Sequence, residues 1–233
     1  MRIIDRKTES YCASCPFKSH LLNPLKHEQL NYLNESRIEK TYKKGEWIIT
    51  QDDPIDRLFY VKEGLVKLFI TDEYGKDHIL SLGKAFDFLG LLSVFSGDNS
   101  KYSVTAIKDT TVCTLELSKV KTLIKENGDF ALLMLTTISK TNDQLINFSY
   151  EVTKRQLRGR ISFFLILLSR KFFKSNKFEL PISRRETAEV LQVTTENVIR
   201  CLSEFRKDGL IEINGKGITI LNFEMLRKIS HLG

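Results

Sequence analysis

The segment Ile182-Ser183-Arg184-Arg185-Glu186 constrains this chain more than any other, because serine followed three residues later by glutamate is a capping box. It predicts a helix that begins after Ser183 and runs to about Leu191. Gln192-Val193-Thr194 then turns the chain into a second predicted helix, Thr195 to Lys207. The second helix places Val198, Cys201, Leu202 and Phe205 on one face and Thr195, Glu196, Ile199, Arg200 and Ser203 on the other. Asp208-Gly209 closes it with a residue able to take positive φ. Beyond it, LIEIN and ITIL flank Gly215-Lys216-Gly217 as the arms of a β-hairpin. Two short helices joined by a three-residue turn, followed by a hairpin, make a winged helix-turn-helix, whose second helix enters the major groove of DNA. The bland alternative is a small αα-hairpin with a packed strand pair and no nucleic acid.

The outward residues have chemistry suited to base edges. Arg200 can donate two hydrogen bonds to guanine, Glu196 can accept one from cytosine, and Thr195 can touch a thymine methyl or a phosphate. Ser203, together with Arg184 and Arg185 at the start of the first helix, completes the candidate DNA-contacting set, and Lys216 at the hairpin tip can reach a phosphate. Charge supports this division of labour. Residues 154–233, which open on the run KRQLRGR, hold 16 Lys and Arg against 8 Asp and Glu; residues 1–153 hold 20 against 21. All the excess positive charge of a chain with net charge +7 therefore lies in its last third, as phosphate contact by one module requires.

From Ile38 onward the pattern is strand-like. WIIT, LFYV, LVKLFI, HILSL and VCTLEL are rich in β-branched and aromatic residues and are separated by turn signals at KKGE, QDDP, KEG, EYGKD and GDNS. Short strands at this spacing predict a sandwich or barrel-like roll. A short helix is expected over His27 to Asn34, ahead of the roll, and another over Leu117 to Asn127, before a break at Gly128-Asp129. The next segment, about Phe130 to Lys154, lacks Pro and Gly and carries Ala131, Leu135, Ile138, Asn142, Leu145, Ser149 and Val152 at alternating steps of four and three. Such a stripe either pairs with a second copy of the helix, with Asn142 setting register, or packs on its own β-domain. Leu135, Ile138, Asn142, Leu145 and Val152 are the candidate dimer seam.

The expected fold class is α+β: an N-terminal double-stranded, jelly-roll-like β-roll, a long dimerisation helix and a C-terminal winged helix-turn-helix. The expected domains are an extension at 1–25 carrying Cys12-x-x-Cys15, a sensor roll at 26–128, the helix at 129–154 and the winged helix at 155–233. The longest apolar run, Phe163 to Leu168, is far shorter than the roughly 20 residues of a membrane span, and the N-terminus MRIIDRKTES lacks an apolar signal region. A cytoplasmic location is expected, with no membrane partner. Without a secretory signal, Cys12, Cys15, Cys113 and Cys201 are expected to be reduced thiols rather than a disulfide framework, and Cys201 to be core packing.

These pieces together resemble the CRP/FNR family of bacterial transcription regulators. The resemblance runs from about Ile38 to Leu221, through YKKGEWIITQDDP, LFYVKEGLVKLFI, YGKDHILSLGKAFDFLG, VCTLEL and the segment from ISRRETAEVLQVTTENVIR to the hairpin. It implies a homodimer on a palindromic operator, RNA polymerase as a further partner, the long helix as dimer seam, and base contacts from Glu196 and Arg200. Thr195 departs from the arginine of the cyclic-AMP receptor subgroup, so the half-site differs. Cyclic-AMP binders of the family use a glutamate and an Arg-Ser pair; here Phe88 and Leu89 stand where the glutamate belongs, and Ser100, Lys101 and Tyr102 where the pair belongs. That set marks the candidate effector pocket and argues against cyclic AMP itself.

Oxygen sensors of the family hold an iron–sulfur cluster on three N-terminal cysteines and one late-strand cysteine. Cys12, Cys15 and Cys113 look like part of that set; His20 or His27 would have to complete it, as a cluster or a Cys/His zinc site. No cofactor is required by the sequence. The chain is not expected to be an enzyme: a metal-dependent β-barrel enzyme needs several histidines inside its barrel, and this roll offers only His78. A ligand-binding regulatory module without DNA binding is the remaining alternative.

Overall fold

A computed structural model describes residues 12–97 and 99–232. The first eleven residues of the expected extension, and Asp98 of the expected GDNS turn, lie outside the described residues. The chain forms two compact units, residues 1–143 and 144–233.

The first unit opens with a 3-10 turn, His20–Leu22, and α1, His27–Asn34. Eight strands follow: β1 Ile38–Tyr42, β2 Trp47–Ile49, β3 Arg57–Glu63, β4 Leu65–Thr71, β5 Asp77–Lys84, β6 Phe88–Leu89, β7 Ser103–Ala106 and β8 Thr110–Glu116. They form two antiparallel four-stranded sheets, ordered β1-β8-β3-β6 and β2-β7-β4-β5, which is the expected double-stranded roll. Val61, Val66, Leu89, Val104, Ala106 and Val112 fill its interior together with Tyr102. Gly64, between β3 and β4, has φ 113° and sits so close to Thr110 that a Cβ would lie 2.3 Å from its hydroxyl, so only glycine fits this turn.

A second core lies against the first sheet, where Leu58 and Leu115 meet Leu21, Leu22, Leu25, Leu30 and Leu33. It also takes in Val120 and Leu123 of α2, Leu117–Glu126, and Phe130 and Met134 of α3, Gly128–Thr153. The expected break at Gly128-Asp129 falls one residue earlier. Asn127 alone leaves helical geometry, at φ −131° and ψ 100°, and its side chain accepts from Phe130 N at 3.0 Å as a cap for α3.

The second unit contains the end of α3 and then α4 Leu157–Leu167, a π-helical turn Leu168–Phe173, β9 Lys177–Glu179, α5 Arg184–Leu191 and α6 Thr195–Lys207. It closes with β10 Ile211–Asn214, β11 Gly217–Ile220 and α7 Phe223–Leu232. α4 is the hub, packing on α5, α6 and α7. The end of α3 belongs to this unit: Phe148 lies 5.9 Å from Phe163, Val152 is buried, and buried Arg155 pairs with Glu151, donates to Ser230 O and lies over the Phe163 ring. α4, β9 and α7 had no counterpart in the sequence reading. α4 is apolar on nearly every side, so it lacks the one-sided stripe that marks a helix, and β9 is too short to show alternation.

Phe205 is fully buried under α6, with the Arg158 guanidinium 4.8 Å from its ring centroid. Phe205→Ala should cost about 3–5 kcal/mol. Amide hydrogen exchange across α6 is the measurement: protection should collapse, and unchanged protection would show that the helix does not depend on this contact.

Candidate nucleic-acid interface

The helix-turn-helix forms as the residues dictate. Ser183 Oγ accepts from Glu186 N at 3.1 Å while Ser183 N donates to Glu186 Oε2 at 2.9 Å, completing the capping box of α5. Gln192 takes the left-handed conformation at φ 55° and ends α5, and Thr194 caps α6 by accepting from Asn197 N at 3.2 Å. Arg160 of α4 donates to the carbonyls of Leu191 and Gln192, both at 3.1 Å, pinning the turn. Arg158 donates to Glu204 at 2.8 Å and Asp208 at 2.9 Å, holding α6 against α4. Sequence reasoning treated both arginines only as part of a basic run; their positioning role needed the fold.

α6 buries Val198, Cys201, Leu202 and Phe205, and leaves Glu196, Ile199, Arg200 and Ser203 exposed, with Thr195 half-buried. Arg200 donates to Asn197 Oδ1 at 2.9 Å. The Glu196 carboxyl is held below its usual range by its own backbone N–H and by the Thr194 hydroxyl at the helix start. Glu196 and Arg200 therefore have separate partners in the free protein. Arg185 is exposed and pairs with Glu189 at 3.4 Å, whereas Arg184 is half-buried and reaches Gly215 O at 3.4 Å in the hairpin turn. Lys216 is exposed at that turn, which Leu180 N holds through Lys216 O at 2.9 Å. β9 pairs with β11, so the hairpin is part of a three-stranded sheet.

The expected effector set does not assemble as one pocket. Phe88 and Leu89 are neighbours on a strand and so point to opposite faces: Leu89 into the roll interior, Phe88 to the core outside it. Ser100 is buried with its hydroxyl donating to Tyr102 O at 2.6 Å, Tyr102 itself fills the interior, and Lys101 is exposed.

A different pocket, of about 50 Å³, opens outside the roll between the first sheet and the Cys12–Leu22 segment. Its lining brings together Cys12, Cys15 and Cys113 with Arg37, Tyr60 and Lys62. β-Sheet register explains the match: Cys113 of β8 lies beside Tyr60 of β3 and Glu39 of β1, on one face. Burial pushes the Cys113 thiol up to about 11 against the opposing pull of Arg37, and burial likewise raises Cys12, whose sulfur lies 3.6 Å from Asn34 Oδ1. The residues do not fit a four-thiolate cluster. Three thiols line the pocket, His20 is exposed outside that lining, His27 is exposed and bonded to Asn31, and among the described residues no group of three His, Cys, Asp or Glu side chains could hold a metal ion.

The candidate seam splits between faces. Ile138 packs on the core of the first unit and Val152 is buried in the second, while Leu135 and Asn142 are exposed and Leu145 is half-buried. The exposed apolar row is Leu132, Leu135, Ile146 and Tyr150, one residue out of phase with the predicted one at several positions, because Phe130, Met134 and Ile138 already commit the adjacent stripe to the core.

Two family models match the chain: a cyclic nucleotide-binding domain over residues 39–127 and a Crp-like helix-turn-helix domain over residues 159–229. The chain belongs to the CRP/FNR family. It is 29% identical to the transcriptional activator protein FnrA of Stutzerimonas stutzeri, over 77% of this chain and 75% of that one. With the transcriptional activator protein anr of Pseudomonas aeruginosa it shares 26% identity over 92% of this chain and 90% of that one. The fold matches that of FixK2 from Bradyrhizobium japonicum with a TM-score of 0.75 and 23% identity, over 83% of this chain and 96% of that one. This CRP/FNR member is accordingly a DNA-binding transcription regulator, which excludes the alternative of a ligand-binding module without a DNA reader. No helix among the described residues is long and apolar enough to cross a membrane.

The thiols supply a prediction. With Cys113 raised to about 11 and Cys201 to about 12, both by burial, neither is appreciably ionised near neutral pH. Iodoacetamide at pH 7.5, followed by mass spectrometry, should leave both unmodified in the folded protein and label both in urea. Rapid labelling of Cys113 in the folded protein would show that the pocket is open to solvent.

Proposed function

We propose that this regulator reads an inverted-repeat DNA operator as a homodimer, with Arg200, Glu196, Thr195 and Ser203 facing base edges and Arg184, Arg185 and Lys216 serving the phosphates. The observation that carries the reading is the two-sided character of α6: a fully apolar face is buried, and a face of hydrogen-bonding side chains is left exposed behind a turn pinned by Arg160. The exposed row Leu132, Leu135, Ile146 and Tyr150 on α3 supports pairing with a second copy, since a two-fold dimer would bring the same row of both chains together. A cytoplasmic location, with RNA polymerase as partner, goes with this reading.

The signal enters at the thiol pocket rather than inside the roll. Cys12, Cys15 and Cys113 gather there beside Arg37 and Lys62, whereas Leu89 and Tyr102 fill the roll interior. A redox signal or a small thiol-reactive effector suits this lining. α3 begins in the same core, through Phe130, and runs on into the second unit, which gives the signal a physical route to the DNA reader.

Selection of bound sequences from randomised duplexes, with reduced and with peroxide-treated protein, tests the reading. An enriched inverted repeat is expected, with affinity that differs between the two preparations; equal affinity would remove the redox signal. On the selected site, Arg200→Ala should lose at least tenfold in affinity while binding random DNA almost normally, since one bidentate base contact is worth roughly 1–3 kcal/mol. Lys216→Ala should weaken both kinds of DNA modestly and reduce the salt slope by about one. Equal effects of the two changes on random DNA would overturn the assigned roles. Leu135→Asp with Ile146→Asp should give a monomer in analytical ultracentrifugation, and a double variant that stays dimeric would move the interface elsewhere.

A further inference from the structure

The polar face of α6 has one member that hydrogen bonding does not explain. Ile199 is 52% exposed, although every inward position of the helix is already taken by Val198, Cys201, Leu202 and Phe205. A β-branched residue gives the helix no propensity advantage, so nothing local favours isoleucine at this place. Its neighbours along the same face are Thr195 and Glu196 one turn before it and Ser203 one turn after, with Arg200 beside it, and Ser203 Oγ donates to Ile199 O at 3.0 Å. Isoleucine thus occupies the middle of the surface that meets base edges.

The major groove offers an apolar side chain a single good partner. Every base edge there presents hydrogen-bonding atoms, and only thymine adds a methyl group. Packing isoleucine against any other base would bury an amino or carbonyl group without a partner, which is unfavourable, so the same side chain both attracts thymine and rejects the alternatives. Resting on the DNA-reading function proposed above, we infer that Ile199 is a specificity-determining residue that selects thymine at one position of each half-site by contact with its 5-methyl group, between the bases read by Glu196 and Arg200.

The test uses the full chain, reduced and handled anaerobically, on its selected operator, with each thymine of the half-site replaced in turn by deoxyuridine, which removes the methyl and leaves every hydrogen-bonding atom. Fluorescence anisotropy should show a loss of about fourfold at one symmetry-related position, the worth of roughly one buried methyl group. Ile199→Ala should erase that discrimination while Arg200→Ala leaves it in place, and Ile199→Val should keep most of it. Equal binding of thymine and deoxyuridine at every position, or an undiminished deoxyuridine penalty in Ile199→Ala, would overturn the inference and leave the DNA-reading function standing. Failure to select any sequence would overturn that function, and the role of Ile199 with it.

Discussion

The burial of Val198, Cys201, Leu202 and Phe205 beneath α6 decides what this protein can present to DNA. Four apolar side chains on one face leave the helix a single rotational setting on the core, because turning it would expose them and bury Glu196 and Arg200 unpaired. Arg158 and Arg160, both from α4, reinforce that setting from the two ends: one grips Glu204 and Asp208, and the other closes the turn before the helix. The outward chemistry is therefore a consequence of the inward packing.

The first unit solves a different problem with the same physics. Its roll is filled by its own side chains, so the interior position that cyclic-nucleotide binders of the family use is taken up here by Leu89, Tyr102 and their neighbours. The opening lies instead on the outer side of the first sheet, where a short N-terminal segment lays Cys12 and Cys15 near Cys113. Raised thiol pKa values there reflect burial that Arg37 only partly offsets. Because α3 starts from this same core, a change in how the N-terminal segment packs bears directly on the base of that helix.

Much of this was legible in the residues. Ser183 and Glu186 located the first reading helix to the residue, and the apolar spacing of Val198 to Phe205 assigned its partner's faces correctly. The strand segments likewise fell where β-branched runs and turn residues put them. The α3 stripe was less legible. Periods of three and four fit two adjacent rows on one helix about equally well, and only the packing of Phe130, Met134 and Ile138 on the first unit left the row of Leu132, Leu135, Ile146 and Tyr150 outside. The effector set failed for a similar reason: proximity in sequence said nothing of the opposite faces that a two-residue strand gives Phe88 and Leu89.

By itself the sequence determined the properties that depend on near neighbours: caps, helix faces, turns, strand periodicity and the concentration of positive charge in the last third of the chain. Tertiary structure alone decided which distant groups meet. It brought Cys113 to Cys12 and Cys15 across about a hundred residues, set Arg160 on the helix-turn-helix turn, added β9 to the hairpin and closed the roll interior. The physical reason is range: capping and periodicity act within one or two turns of chain, whereas sheet register and core packing join residues whose separation carries no local signal.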